Sequence, residues 1–182
     1  MELREVIDTK SGLNSRDLKK QRESTYSVAD FNYDLGQMFN VLKLKPDHDL
    51  SRVTLKQGDL IINLQTLKMA IVSKKNDGKI FSQRFLRVVP KVDANIDIYY
   101  LIFLFNESTT IQKQIHSMLE GTILKLLKVN NVLDINVQLP VMKTQKKIGN
   151  YFRLIKEYES LTQKKLNDLN KVSMELLNII NQ

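Results

Sequence analysis

Four polar stretches carry the side chains whose chemistry is easiest to name. The first, SGLNSRDLKKQR, sets Ser11, Asn14 and Ser15 beside Arg16, Lys19, Lys20 and Arg22. Hydroxyls and amides bond phosphate oxygens or base edges. Lysine neutralises phosphate, and the Arg16 guanidinium can also fork onto a guanine. The second, NLQTLKMA, offers Gln65, Thr66 and Lys68 behind Asn63, and amide side chains suit adenine by the same bidentate geometry. SKKNDGK adds Lys74, Lys75 and Lys79, and FSQRFLR adds Gln83, Arg84 and Arg87. Strand alternation puts Phe81, Gln83, Phe85 and Arg87 on one face and Ser82, Arg84 and Leu86 on the other. Each stretch has a plainer competitor: a solvated basic loop, an ordinary strand connection, a solvated turn and, for the last, a core strand.

Catalytic sets are missing. His48 and His116 lie far apart in unlike contexts, and acid–base work needs a geometry that two lone histidines do not supply. No Gly-rich phosphate loop, nucleophile elbow, H-x-x-x-H or EF-hand spacing occurs. A metal nuclease needs clustered carboxylates, and Asp17, Asp30, Asp34, Asp47 and Asp49 show no such spacing. The sequence predicts a non-catalytic binding module with no metal site and no cofactor.

The chain of 182 residues with 42% hydrophobic residues suits one compact domain with an appendage. It has no cysteine, which removes disulfides, thiol nucleophiles and Cys-based zinc sites and fits a reducing cytoplasm. The formal charge is +8 and the pI about 9.5, which favours a polyanionic partner. Residues 141–182 carry 8 Lys+Arg against 4 Asp+Glu, so the excess is spread along the chain. The longest apolar run, around Ile98–Phe105, is far short of the roughly 20 residues of a membrane span. A soluble cytoplasmic protein is expected.

The elements that would position these residues follow from the pattern. Leu3 to Thr9 suggests a short strand, and Arg16–Arg22 a helical turn. TYSVADFNYDLGQMFNVLKL mixes aromatic and polar residues without a clear period. Val53–Leu55, a turn at Gln57–Asp59 and the apolar run Leu60–Ile62 read as strand, turn, buried strand. MAIVSKKNDGKIFSQRFLRVVP reads as two strands about Asn76–Gly78, where Asp-Gly is a hairpin signal and Pro90 closes the second strand. A helix is expected from Asp97 to Met118, broken near Glu107–Thr109, and a strand from Ile135 to Leu139. From Gln145 to Asn181 there is no proline, and no glycine after Gly149. Ile148, Phe152, Ile155, Leu166, Leu169, Leu176 and Ile180 recur mostly at 3–4 spacing. About 36 residues of helix would span about 54 Å, longer than a small domain, so part of it should project and pair with another helix.

LEGTILKLLKVNNVLDINVQLPVMKTQKKIGNYF resembles the specificity (S) subunits of type I restriction–modification systems. Gly121-Thr122-Ile123, Leu126, Val137-Leu139-Pro140 and Gln145-Lys146-Lys147-Ile148 fall in that family's order: a G-T-x-I turn, a strand ending in L-P, then Q-x-x-I opening a long helix. LKQGDLIINL and SGLNSRD are similar to a strand and a post-strand loop of the family. Val141 stands where the family has a second proline, and Thr144 where an acidic residue is usual.

The resemblance implies an α+β fold. A mixed-sheet target-recognition domain over residues 1–142 would be followed by a spacer helix over 143–182 that pairs as an antiparallel coiled coil. It implies recognition of double-stranded DNA, with methylation (M) and restriction (R) subunits as partners. S subunits usually carry two recognition domains and two helices, so this chain resembles a half-sized form. Two copies would pair through Ile148–Ile180 as a homodimer reading inverted half-sites. An adaptor, or a silent fragment that binds M subunits without useful DNA affinity, is the alternative.

Overall fold

The computed structural model describes residues 1–21, 24–37, 47–119 and 127–181. Four strands form one sheet: β1 (Ile7–Ser11), β2 (Leu60–Asn63), β3 (Lys68–Ile71) and β4 (Phe85–Pro90), in the order β1-β4-β2-β3. All three pairings are antiparallel. Parallel pairing is confined to isolated bridges at Leu13–Ser82 and Thr25–Ile80. The helices are α1 (Ser15–Leu18), α2 (Val28–Gln37), α3 (Ile98–Glu107), α4 (Thr109–Leu119), α5 (Val129–Leu133) and α6 (Met142–Ile180). The α+β class with a long C-terminal helix is as expected.

Both faces of the sheet are covered, which is why β2 and β4 are buried at every position, Asn63 and Arg87 included, rather than at alternate ones. Leu60, Ile62, Met69, Ile71, Leu86 and Val88 face a first core shared with α3, α4 and α5. Ile61, Ala70 and Phe85 face a second core with Tyr26, Phe31, Leu55, Val72 and Phe81. There Tyr26 meets Phe85 edge-on at 5.1 Å between ring centres.

The register fixes the two ends of the sheet. Ser11, Phe85, Asn63 and Lys68 lie at one end; Ile7, Pro90, Leu60 and Ile71 lie at the other.

Several expectations change. Asp77-Gly78 makes a turn, but β3 and β4 do not form a hairpin, because β2 lies between them. A 3-10 turn at Lys74–Asn76 leads the chain away from β3. Residues 78–83 then bond to three other segments, through Gly78 N to Leu55 O (2.8 Å), Tyr26 N to Ile80 O (2.7 Å) and Leu13 N to Phe81 O (2.9 Å). Val53–Leu55 is not a strand of the sheet; it pairs with residues 78–80 through the bridge Thr54–Ile80 and the Leu55 bonds to Gly78 and Lys79. The first strand starts later than expected, because Leu3–Glu5 is a 3-10 turn. Ile135–Leu139 is not a strand of the sheet. It pairs with the start of the chain through one bridge, Glu2–Asn136, flanked by Leu3 N to Ile135 O (2.8 Å) and Val137 N to Met1 O (2.9 Å). The break between α3 and α4 falls at Ser108, as expected. Gly121, Thr122, Ile123 and Leu126 lie outside the described residues.

The 39 residues of α6 run about 58 Å at 1.5 Å per residue. Its first turns lie alongside α3. The Gln145 carboxamide is buried there, accepting from Asp97 N (3.0 Å) and donating to Asn95 O (3.0 Å) and Pro140 O (2.9 Å). One turn on, Gly149 lets the two helices touch: a Cβ there would stand 2.5 Å from Asp97 Oδ1 and 2.9 Å from Tyr100 N. Phe152 then packs on Phe103 at 5.9 Å, and Lys156 reaches Glu107 at 3.4 Å. Beyond Ser160 every described residue of α6 is exposed.

Candidate nucleic-acid interface

Three of the four polar stretches meet at one end of the sheet. β1 ends at Ser11 and leads into α1, whose N-cap is Asn14. The Asn14 carboxamide oxygen accepts from Arg16 N (3.0 Å) and Asp17 N (2.9 Å), and its amide donates to Asp17 Oδ2 (2.8 Å). Asn14 therefore shapes the loop instead of offering its amide outward. Gly12 is buried because a Cβ there would strike the carbonyls of Phe81 and Ser82. That close approach joins the β1–α1 loop to the lead-in of β4.

The lead-in is itself a turn. Phe85 N bonds Ser82 O (2.9 Å) and Arg84 N bonds Ser82 Oγ (3.4 Å), leaving Gln83 and Arg84 exposed at the tip. The β2–β3 connection is a second turn. Leu67 N bonds Asn63 O (2.8 Å), and Asn63 Oδ1 takes the N–H groups of Gln65 (2.9 Å) and Thr66 (3.2 Å). Gln65 and Thr66 stand exposed at its tip, and Leu67 closes it at φ 59°. Backbone hydrogen bonds tie the three segments into one rim: Gln83 N to Leu13 O (3.0 Å) and Leu64 N to Arg84 O (2.9 Å).

The rim is basic. Ser15, Arg16, Lys19 and Lys20 are exposed on or just after α1. Lys20 pairs with Asp17 at 3.3 Å, an exposed pair of small energetic weight. Among the described residues, Arg16, Lys19 and Arg84 have no acidic partner. Arg22 lies outside the described residues.

The other candidates sit elsewhere. Lys68 starts β3 at the rim end, but its ammonium donates to Asn106 O at the end of α3. Lys74, Lys75 and Lys79 lie toward the opposite end of the sheet; Lys74 is exposed, and Lys75 and Lys79 dock on α2. Lys75 covers the Tyr33 ring at 4.2 Å, and Lys79 pairs with Asp30 at 2.7 Å. Burial alone would raise the Asp30 carboxyl; the Lys79 and Ser27 hydrogen bonds outweigh it and hold the group below its usual range. Asn76 Nδ2 (2.8 Å), Ser73 N (3.1 Å) and Tyr26 OH (2.8 Å) converge on the buried Asp34 carboxylate. Burial and Asp34 together push the Tyr26 phenol far above its ordinary value. These contacts fasten the loop to α2.

Arg87 is likewise no surface reader. It is 0% exposed, donates to Asp49 O, and lies 3.9 Å from Asp59, which Arg52 grips with one nitrogen 3.0 Å from each carboxylate oxygen. Its Nε and Nη1 make no hydrogen bond among the described residues. Burial first, then the neighbouring Arg52, pull its pKa below the usual arginine value.

The helix candidates also divide. Ile148 is half-buried and Phe152 only 5% exposed, both packed into the first core. Ile155, Leu166, Leu169, Leu176 and Ile180 are exposed, with Tyr158, Leu161 and Val172 beside them.

The sequence names Asn63 as an amide suited to adenine and Ser82 as a strand residue, but in the structure both side chains hold turns from within. An Asn or Ser opening a short polar turn is a signal for side-chain-capped turns, and the stretch after Ile62 carried it.

No protein-family model and no curated protein matches this chain. Solved structures do. The HsdS subunit from Thermoanaerobacter tengcongensis superposes with a TM-score of 0.55 over 91% of this chain, at 13% identity. The fold is similar to that of part of this HsdS subunit. A chain from a structure concerned with complex assembly and conformational transition of the type I R-M system gives 0.58 over 97%, also at 13% identity. This chain spans 39% and 42% of the length of those two, so the HsdS-like fold is present here as a part equivalent to about two fifths of either. Among the described residues, no helix is long and apolar enough to cross a membrane.

Proposed function

We propose that this chain is a half-sized specificity subunit of a type I restriction–modification complex. It reads one half of a split double-stranded DNA target and directs M and R subunits to it, without doing chemistry itself. The observation that carries the reading is the rim, where basic and amide-bearing side chains from three separate segments are locked together at one end of an HsdS-like fold. Residues 1–142 form the recognition domain and 143–182 the spacer. The face from Ile155 to Ile180 pairs antiparallel with a second copy, placing two rims at a fixed separation.

The experiment is methylation mapping in a host that expresses this chain with its neighbouring M subunit. A bipartite, palindromic modified motif is expected. Loss of Arg16, Lys19 and Lys20 together should weaken DNA binding and flatten its salt dependence. The exposed face of α6 equally suits an adaptor that binds M subunits alone. In that case the complex assembles, but no motif appears and the salt slope is shallow with or without the three basic residues.

A further inference from the structure

We infer that the two turn tips, Gln65-Thr66 and Gln83-Arg84, read base edges side by side in the major groove, while α1 grips the phosphate backbone. The inference rests on the DNA-recognition reading above and divides its labour among named residues.

Three observations carry it. The first is chemical. Base discrimination needs groups that distinguish donors from acceptors, which a lysine point charge does not. Among the candidate residues, the Asn14 amide is consumed as a helix cap. The amides left exposed and uncommitted are Gln65 and Gln83, and beside Gln83 stands the Arg84 fork, without an acidic partner among the described residues. The α1 segment offers Arg16, Lys19 and Lys20, a set suited to phosphate.

The second is rigidity. Both tips are short turns closed by a backbone bond, Leu67 N to Asn63 O in one and Phe85 N to Ser82 O in the other, and held from within by a polar side chain, Asn63 Oδ1 and Ser82 Oγ respectively. They spring from β2 and β4, the two central strands of the sheet, and are joined by Leu64 N to Arg84 O at 2.9 Å. A base reader must hold its geometry to a fraction of an ångström, and these tips inherit theirs from buried strands.

The third is size. Adjacent strands stand about 4.8 Å apart, so the two tips together are about as wide as a two-stranded ribbon. A major groove about 12 Å wide admits such a ribbon. The segment carrying α1 emerges one strand further out, from β1, where the groove wall and its phosphates would stand.

The test uses the full chain and a randomised duplex DNA pool, selected at fixed salt with and without the M subunit. Arg84→Lys keeps the charge and loses the fork. It is expected to lose preference at one or two base pairs, with a fall of roughly fivefold to a hundredfold for the selected site and unchanged binding to unrelated DNA. Gln65→Ala and Gln83→Ala should relax other positions of the same half-site. Arg16→Ala and Lys19→Ala should weaken every sequence alike and leave the selected motif intact. All five side chains are exposed, and thermal unfolding of each variant checks the fold. The inference is overturned if Arg84→Lys, Gln65→Ala and Gln83→Ala enrich the wild-type motif, or if Arg16→Ala is the variant that changes it. A wild-type chain that enriches no motif under either condition sinks the DNA-recognition reading itself, and this assignment with it.

Discussion

Gln145 and Asp97 are joined by a hydrogen bond of 3.0 Å, from the Asp97 backbone N–H to the Gln145 carboxamide oxygen. The same carboxamide donates to Asn95 O and Pro140 O. One buried side chain thus closes the gap between the last extended segment, the start of α3 and the first turn of α6. Gln145→Ala leaves one donor and two acceptors without partners, at a cost of about 1–3 kcal/mol. Gln145→Glu keeps the acceptor but turns a carboxylate on two carbonyls, and should be at least as harmful. Urea unfolding of the full chain reads both.

Gly149→Ala should destabilise, against the usual trend. In an exposed helix this change gains about 1 kcal/mol. Here the new Cβ would meet Asp97 Oδ1 at 2.5 Å and the backbone nitrogen of Tyr100 at 2.9 Å, so α3 and α6 must separate. A loss of about 1–3 kcal/mol is expected, read as a lowered thermal midpoint.

Lys79 should matter for acid stability and not for DNA. The Asp30 carboxyl is held below its unfolded value of 3.8, in part by Lys79. A depressed carboxylate contributes stability that is full above the unfolded pKa and is lost as pH falls through the folded one. Lys79→Met should therefore lower the urea midpoint at neutral pH and shrink its further fall on acidification below about pH 4. DNA affinity should not change. Lys19→Ala should do the reverse, leaving stability intact and reducing the salt slope of DNA binding by about one.

The two partners around Arg87 should respond unequally. Asp59→Ala removes the carboxylate that lies between Arg52 and Arg87, leaving the fully buried Arg87 without one and Arg52 with Asp47 alone at 3.3 Å, and should cost about 3 kcal/mol. Arg87→Met removes a buried charge whose Nε and Nη1 make no hydrogen bond among the described residues. It leaves Asp59 with Arg52 as its partner and should be close to neutral. Thermal unfolding of both variants checks the pair.

Phe152 and Leu169 separate the two halves of α6. Phe152→Ala should cost the globular part about 3–5 kcal/mol, as a core truncation. Leu169, 56% exposed, has no such role within the chain, so Leu169→Asp should leave the melting transition of the globular part in place. On the pairing proposed above, it should also reduce the mass seen by light scattering to that of one copy.

What the sequence shows of this fold depends on where burial is apolar. β2 was legible because Leu60–Ile62 is an apolar run directly after a Gly-Asp turn. α6 was legible because nothing after Gly149 interrupts it. α2 was not, because the residues it buries are Phe31 and Asp34, and a buried carboxylate breaks the apolar stripe that marks a helix. The order of strands was hidden as well. Asp77-Gly78 favours a local turn, but which strand pairs with which is decided by both faces of β2 and β4 being covered. Charge was read correctly in sum and less well in place. Lys68, Lys75 and Lys79 look like Lys19 in the sequence, yet their ammonium groups are spent on a carbonyl, a ring and a carboxylate. Ile148 and Phe152 share the seam of Leu169 by spacing, but α3 covers them.

The rim and the root of α6 stand at opposite ends of β4, with Phe85 at one and Pro90 at the other. Six residues of strand make a stiff arm about 17 Å long. Over that arm, a tilt of about ten degrees at the root would carry the turn tips by about 3 Å, close to one base-pair step of about 3.4 Å. The tight seating of Gly149 and Gln145 therefore acts as the bearing of a lever. If the tips read DNA as inferred above, slack of about ten degrees there would shift them by about one base-pair step.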